Sequence, residues 1–135
     1  MSNAKGSRDP GFFGQIKGSV LYTPVPYEQR EVPLSPQGVC DFEANPAEFV
    51  AGLFGASVQD YLAWRDETKF EWVECSAVLD DGRKCRGVIA GSGQPSLPGY
   101  LALRDSYCRA HGGSDAKTNK ALVEDASRRW PHGST

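Results

Sequence analysis

Four residues of this 135-residue chain combine the side-chain types and the spacing of a metal site. Nine residues separate the first two of them, twenty-two residues separate the second from the third, and two residues separate the third from the last. This set, termed the Cys3His cluster, consists of Cys75, Cys85, Cys108 and His111. Three thiolates and one imidazole are a complete tetrahedral ligand set for a structural zinc ion. The cluster therefore predicts a Zn²⁺ site.

The chain between the first two cysteines of the cluster has the pattern of a β-hairpin. Asp81-Gly82 lies between two strand-like runs, which is a strong hairpin signal. Residues 70–74 alternate between apolar and polar side chains before this turn. Such a hairpin places Cys75 and Cys85 across from each other on one ribbon. Because only two residues separate Cys108 from its histidine, one turn of backbone can supply the other two ligands.

Other arrangements of the cysteines stay open at this point. Four cysteines could form two disulfides by any of three pairings, or could be unrelated buried or free thiols. Residues 1–10 lack the apolar centre of a secretory signal, so we expect an intracellular chain, in which clustered cysteines more often bind metal. Cys40 lies apart from the cluster and is expected to be a spare buried cysteine. The alternative is that it replaces His111 as the fourth ligand. His132 is expected to be solvated.

One short stretch resembles a known motif. A Cys-x9-Cys segment with Asp-Gly and basic residues before its second cysteine is followed by Tyr107-Cys108-Arg109-Ala110-His111. This pattern is similar to the Cys3His motif of plant Trp-Arg-Cys (WRC) domains and to the knuckles of some chromatin-complex subunits. The resemblance implies that the Cys3His cluster binds zinc and that the protein associates with nucleic acid or chromatin. It covers under a third of the chain, and Arg83-Lys84 replaces the family's Trp-Arg pair.

Charge is distributed unevenly along the chain. The net charge of −2 divides into +1 over residues 1–40, −6 over residues 41–75 and +3 over residues 76–135. Four basic residues lie beside the cluster in sequence and are termed the basic quartet: Arg83, Lys84, Arg86 and Arg109. They either offset the negative charge of the thiolates or contact phosphate. Since a dedicated DNA-binding domain is usually strongly basic, we expect any nucleic-acid binding to be weak.

The N-terminal third is expected to differ from the rest. Pro24, Pro26, Pro33 and Pro36 disfavour helix, so residues 1–40 are predicted to form an extended arm. Residues 41–135 are then a single zinc-binding domain. Large apolar side chains of the arm are expected to contact a protein partner; these are Phe12, Phe13, Tyr22 and Tyr27. The alternative is that this segment packs on its own domain, with short strands near residues 12–16 and 20–22.

Two adjacent helices are predicted in the acidic middle of the chain. Asn45 is a good N-cap, a proline follows at the first helical position, and Glu48 occupies the N3 position. Gly55 is a suitable C-terminal stop, and Ser57 begins a second helix. Tyr61 lies on the apolar face of this second helix, with Trp64 displaced from that face. Both helices are expected to pack on the hairpin.

The C-terminal part is predicted to contain a loop and one further helix. Residues 91–99 have the composition of a flexible loop, and their glycine spacing does not match a phosphate-binding loop. The helix is expected over residues 115–129, with Ser114 as its cap. Together with the hairpin, these elements predict a small α+β fold with short helices.

Enzymatic function has little support in the residues. The chain contains no nucleophile elbow, paired catalytic carboxylates or phosphate loop, and no apolar run long enough to cross a membrane. We therefore expect a non-enzymatic zinc-binding module that binds a protein partner, without a small-molecule substrate, as an accessory subunit or regulator of a larger assembly. One alternative is a structural or assembly protein, such as a phage virion component, in which zinc only stabilises the fold. The other is a degenerate zinc nuclease.

Overall fold

The computed structural model describes residues 10–130, and His132 lies outside them. The described residues form six α-helices and one three-stranded antiparallel sheet, so the predicted α+β class is confirmed. In chain order these elements are α1 (Pro10–Phe13), β1 (Gln15–Lys17), β2 (Val20–Val25), β3 (Glu28–Pro33), α2 (Pro36–Ala44), α3 (Pro46–Leu53), α4 (Val58–Thr68), α5 (Leu97–Leu103) and α6 (Ala116–Arg128). None of the described helices is both long enough and apolar enough to cross a membrane.

Helices α3 and α4 begin where the sequence predicts. The Asn45 side chain accepts a hydrogen bond of 3.1 Å from the backbone N–H of Glu48. The Ser57 hydroxyl accepts one of 3.0 Å from the N–H of Asp60. Each cap satisfies an N–H group that has no partner within its helix. Gly55 has a φ of 70°, the left-handed conformation that commonly follows the end of a helix.

Three helices, α1, α2 and α5, were not predicted, and one cap was predicted one residue too early. The hydroxyls of Ser35 and Ser96 cap helices α2 and α5. One of the first two residues of each helix is proline. Helix α5 therefore occupies the end of the segment expected to be a flexible loop. The cap of α6 is the Asp115 carboxylate, which accepts a 2.8 Å hydrogen bond from the N–H of Thr118, and not Ser114.

The segment expected to be an extended arm forms the sheet. Strand β2 lies in the centre, with β1 and β3 antiparallel on either side. Its inward side chains, Leu21 and Thr23, are fully buried. Pro24 is tolerated in β2 because strand β1 pairs only with residues 20–22. No hydrogen bond to β1 from the backbone nitrogen of Pro24 is therefore required. The sheet makes this segment part of the same fold as the helices, and the expected boundary at residue 40 lies inside α2.

The core joins the sheet, the helices and the hairpin. Tyr61 of α4 stacks on Phe13 and on Phe54, with ring centroids 6.1 Å and 5.7 Å away. Trp64 is 1% exposed, so the expectation that it lies off the buried face is wrong; its indole N–H donates a 2.8 Å hydrogen bond to the carbonyl of Pro95. Val73 and Ile89 of the hairpin belong to the same core. The metal-site hairpin is thereby anchored on the helices.

Candidate metal centre

A hairpin over residues 73–89 positions two of the cysteines. Two antiparallel bridges set its register, Glu74 with Val88 and Val78 with Lys84. The N–H of Cys75 donates a 2.7 Å hydrogen bond to the carbonyl of Gly87, and that of Cys85 donates a 2.9 Å bond to Ala77. The two cysteines therefore lie on opposite strands, as the Asp81-Gly82 turn predicts.

A tight turn after α5 positions the other two ligands. Cys108 begins the 3-10 turn Arg109–His111, and its carbonyl accepts hydrogen bonds from the N–H groups of His111 and Gly113. Gly112 adopts a left-handed φ of 92°. A Cβ atom on Gly113 would lie 1.7 Å from the carbonyl oxygen of Tyr107, so no other residue fits there without a backbone shift. The turn thus presents a thiol and an imidazole to the hairpin.

The ligand atoms of the Cys3His cluster all lie within 4.8 Å of one another. His111 Nδ1 is 3.4 Å from the Cys108 sulfur and 3.6 Å from the Cys75 sulfur, and the sulfurs of Cys85 and Cys108 are 3.9 Å apart. A tetrahedral zinc ion with ordinary bond lengths separates two sulfurs by about 3.8 Å and a sulfur from a nitrogen by about 3.6 Å. The spacing is therefore consistent with four ligands on one metal ion.

The alternative cysteine arrangements do not agree with the structure. All four cysteines are free thiols, so the pairing into two disulfides is wrong. Cys40 is exposed on α2, so the expectation that it is buried is wrong. It also lies outside the cluster and does not replace His111 as a ligand. Within the cluster, Cys75 and Cys108 are buried, whereas the histidine is exposed. The site therefore lies at the protein surface with two ligands facing inward.

Backbone amides tune the hairpin thiols. Burial raises the pKa of the Cys75 thiol, but hydrogen bonds from backbone amides, including the N–H of Ala77, and from the histidine outweigh it and lower the pKa to about 7. The N–H of Gly87 lowers the pKa of Cys85, yet desolvation and the neighbouring thiols raise it above its ordinary value. Amide donors of this kind stabilise the thiolate form that binds metal.

Gly87 is a site residue that the sequence interpretation missed. A Cβ atom there would lie 3.2 Å from the Cys85 sulfur and 3.4 Å from the Cys108 sulfur. The preceding Arg86 has a φ of 61°, which turns the chain sharply after the second cysteine. A cysteine followed two residues later by glycine was the signal that could have identified this turn.

The basic quartet is exposed, and two of its four charges are ion-paired within the protein. Arg83 forms a 2.6 Å ion pair with Asp81, and Arg86 lies 3.7 Å from Glu74. Hydrogen bonds from Thr118 lower the pKa of the Asp115 carboxyl, and the Arg109 charge lowers it further. Among the described residues, neither Lys84 nor Arg109 forms an ion pair, since the pairs there involve other cations. The quartet therefore does not form one uncompensated positive patch.

The four aromatic residues expected to contact a partner occupy different environments. Phe13 is 3% exposed in the core, so its predicted role as a partner contact is wrong. Phe12 is half-buried, and the guanidinium of Arg65 lies 3.6 Å from its ring centroid. Tyr22 is also half-buried in the sheet. Tyr27 is 68% exposed in the β2–β3 turn, which leaves it as the most accessible of the four.

A groove of about 770 Å³ lies between the end of α4, the hairpin and α5. Charged residues of both signs line it, including Glu67 and Lys84. The Tyr100 hydroxyl donates a 2.8 Å hydrogen bond to the Glu67 carboxylate, and Arg104 forms a 3.1 Å ion pair with Asp60. These contacts connect the two helices across the groove.

No protein-family model, curated protein or solved structure matches this chain. The functional assignment therefore rests on the geometry of the Cys3His cluster. That geometry brings three sulfur atoms and one nitrogen atom together at a distance that suits one metal ion.

Proposed function

We propose that this protein is a non-enzymatic, zinc-stabilised interaction module. The observation that carries the proposal is the close approach of the four ligand atoms, at separations that suit tetrahedral zinc. Thiolate and imidazole ligands favour zinc over magnesium or calcium, which prefer oxygen ligands. Because the cluster draws on both the hairpin and the turn after α5, the bound ion stabilises the folded arrangement of these two elements.

A structural role for the ion is supported by the number of its ligands. Catalytic zinc usually has three protein ligands and keeps one position open for water. Here four protein atoms fill all the positions of a tetrahedral ion. This argues against the degenerate nuclease and supports a site that maintains the fold.

The module's partner is proposed to be a protein of a larger intracellular assembly, with this chain as its accessory subunit or regulator. Large apolar side chains are exposed on the hairpin and beside the turn, namely Val78 at 66%, Val88 at 48% and Tyr107 at 46%. Exposed apolar groups of this kind favour protein contact. Because Arg83 and Arg86 of the basic quartet are ion-paired, nucleic acid is a secondary and weak partner. The resemblance to WRC-type knuckles belongs to the same proposal.

Metal analysis tests the ion and its ligands. Protein purified without added zinc is expected to contain one zinc per chain, and Cys108→Ser is expected to lose it. Cys40→Ser is the matched control, because this exposed cysteine lies outside the cluster, and it should retain the metal. Full zinc occupancy in Cys108→Ser would contradict the ligand assignment.

Co-purification from the native source followed by mass spectrometry tests the partner. Recovery with a defined protein assembly supports the accessory role. Recovery only as a component of a particle would instead favour the structural alternative, in which zinc only stabilises the fold.

A further inference from the structure

A second cavity, of about 400 Å³, lies between the β2–β3 turn and the loop that precedes α5. No residue of the Cys3His cluster lines it, so its chemistry is separate from the metal site. Apolar walls come from Val25, Pro26 and Trp64. Its polar lining consists of Glu28, Arg30, Gln94 and Ser96. The volume lies within the range of small-molecule sites, roughly 300–1,000 Å³.

Arg30 is the unusual member of this lining. Its guanidinium lies 5.4 Å from the ring centroid of Phe54, and its Nη1 atom is buried without a hydrogen-bond partner. A buried donor that lacks an acceptor is costly and is rare in native proteins. Glu28 also lines the cavity, but the described residues include no ion pair between it and Arg30. Among the described residues, the Arg30 Nη1 atom is therefore left without an acceptor.

The other polar groups indicate how a ligand would be oriented. The Ser96 oxygen accepts a 3.1 Å hydrogen bond from the N–H of Gly99, so its own hydrogen remains available to donate. The Trp64 indole N–H is already bonded to the Pro95 carbonyl and is not available as a donor to a ligand. Gln94 has a φ of 50°, a conformation that costs energy for a residue other than glycine and is often found at binding sites.

We propose that this cavity binds a carboxylate attached to a small apolar body, with Arg30 as the anion anchor. A carboxylate matches the planar fork of a guanidinium, and a monoanion suits a cavity that holds one cation and has Glu28 beside it. The apolar body packs against Pro26 and the end of β2. The carboxylate belongs either to a free small acid or to the C-terminus of a peptide. The site does not depend on the proposed zinc function.

Titration with benzoate, followed by NMR of the Trp64 indole and Arg30 side-chain N–H groups, tests the proposal. Benzoate is expected to cause saturable shifts with a dissociation constant on the order of millimolar, as suits a ligand of this size. Benzamide, its neutral analogue, is expected to cause none. Arg30→Gln should weaken benzoate binding roughly tenfold or more, because a charge-assisted hydrogen bond is lost. Arg83→Gln, which removes an exposed hairpin arginine, should not change it.

Two further variants keep the test decisive. Glu28→Gln should tighten benzoate binding, since it removes a like charge from the lining. If Arg30→Gln fails to fold, Arg30→Lys retains the charge without the planar fork, and it should still weaken binding. Equal binding of benzoate and benzamide, no saturable shift with the folded wild type, or unchanged affinity in both Arg30 variants would overturn the proposal.

A titration with a peptide distinguishes the two sources of the carboxylate. A short peptide that ends in phenylalanine is titrated as its free acid and as its C-terminal amide. Binding of the free acid at least as tight as benzoate assigns the site to a polypeptide C-terminus. Binding of benzoate alone assigns it to a small acid.

Discussion

At the scale of single residues, the metal ligands depend on neighbours that carry no functional group. Gly113 permits the backbone of the 3-10 turn to pass against Tyr107, and Gly87 permits two sulfurs to approach the hairpin. Neither glycine contributes a ligand, but both determine where the thiols point. Residues that position ligands in this way commonly affect metal affinity nearly as much as the ligands do.

Gly87→Ala is expected to lower zinc affinity roughly 10- to 100-fold, the range seen for residues that support metal ligands. The added methyl group would press on the sulfurs of Cys85 and Cys108, at 3.2 Å and 3.4 Å. Competition with a chromophoric chelator measures the change. Gly93→Ala is the control, because a Cβ atom there meets nothing within 4 Å. Equal affinity in the two variants would show that the hairpin accommodates the methyl group.

The hydrogen bond between Tyr100 and Glu67 predicts a pH dependence of stability. Burial raises the pKa of Tyr100, and the hydrogen bond to the Glu67 carboxylate raises it further. Above about pH 10 the unfolded tyrosine loses its proton while the folded one keeps it, so the free energy of unfolding falls as pH rises. Below that pH the contribution of this tyrosine is constant.

Urea unfolding of wild type and Tyr100→Phe at several pH values measures this effect. At neutral pH the variant should be about 1–2 kcal/mol less stable, because it lacks a hydrogen bond to a charged acceptor. The difference should shrink above about pH 10. Tyr61, whose pKa burial also raises, is present in both proteins and cancels in the comparison. A difference that stays constant to pH 11 would contradict the assignment.

At the scale of elements, the helix starts depend on residues close in sequence, whereas the sheet depends on contacts with distant residues. Ser35, Asn45 and Ser96 each cap a helix that has proline at its beginning. The Asn45 start was predicted, and the same signal was present at the other two. The sheet, by contrast, is stabilised by side chains that reach α4, so its strands have a buried face only when that helix is present.

Leu21→Ala is expected to lower the free energy of unfolding by about 2–5 kcal/mol, because it leaves a cavity at a fully buried position of β2. Tyr27→Ala, at a 68% exposed position, should change it by no more than about 0.5 kcal/mol. Hydrogen exchange should also show protected amides in β2 of the isolated protein. Fast exchange throughout Val20–Val25, with no loss of stability in Leu21→Ala, would favour the extended arm.

At the scale of the whole molecule, the aromatic core and the proposed metal site lie in different regions of the fold. Aromatic side chains from α1, α3 and α4 form the core around Tyr61. The Cys3His cluster joins the hairpin to the turn that precedes α6. Removal of a metal ion therefore acts first on the second of these regions, because metal binding to the native state contributes directly to folding.

Chelation is expected to unfold the C-terminal half in preference to the rest. Hydrogen exchange after treatment with a zinc chelator should show loss of protection over residues 73–111, while β2 and α4 retain theirs. Cys40→Ser should respond like wild type, since its side chain is not in the cluster. Uniform loss of protection would show that the metal site and the aromatic core unfold as one cooperative unit.

Nucleic-acid binding is expected to be weak and strongly dependent on salt. Each neutralised phosphate should contribute close to one unit to the slope of log affinity against log salt concentration. Duplex and single-stranded probes are titrated at two salt concentrations against wild type and a variant with alanine at all four positions of the basic quartet. Tight binding that this variant retains would place the interface elsewhere. No binding at low salt would leave protein contact as the proposed role.

The amino-acid sequence by itself determined the features that depend on short separations along the chain. The hairpin turn at Asp81-Gly82 and the helix start at Asn45 were predicted because turn and cap preferences act within a few residues. The composition of the Cys3His cluster was also recognisable, because its ligand types are unusual and two of its members are close in sequence.

The tertiary structure alone decided the features that depend on distant contacts. Leu21 and Val25 of β2 are buried because they join a core that α1 and α4 also form. Trp64 is buried in the same core, where its N–H reaches the Pro95 carbonyl thirty-one residues away. The Arg30 cavity likewise forms only where the β2–β3 turn meets the loop before α5. Burial depends on which surfaces meet in the folded chain, and local propensity and spacing do not specify that.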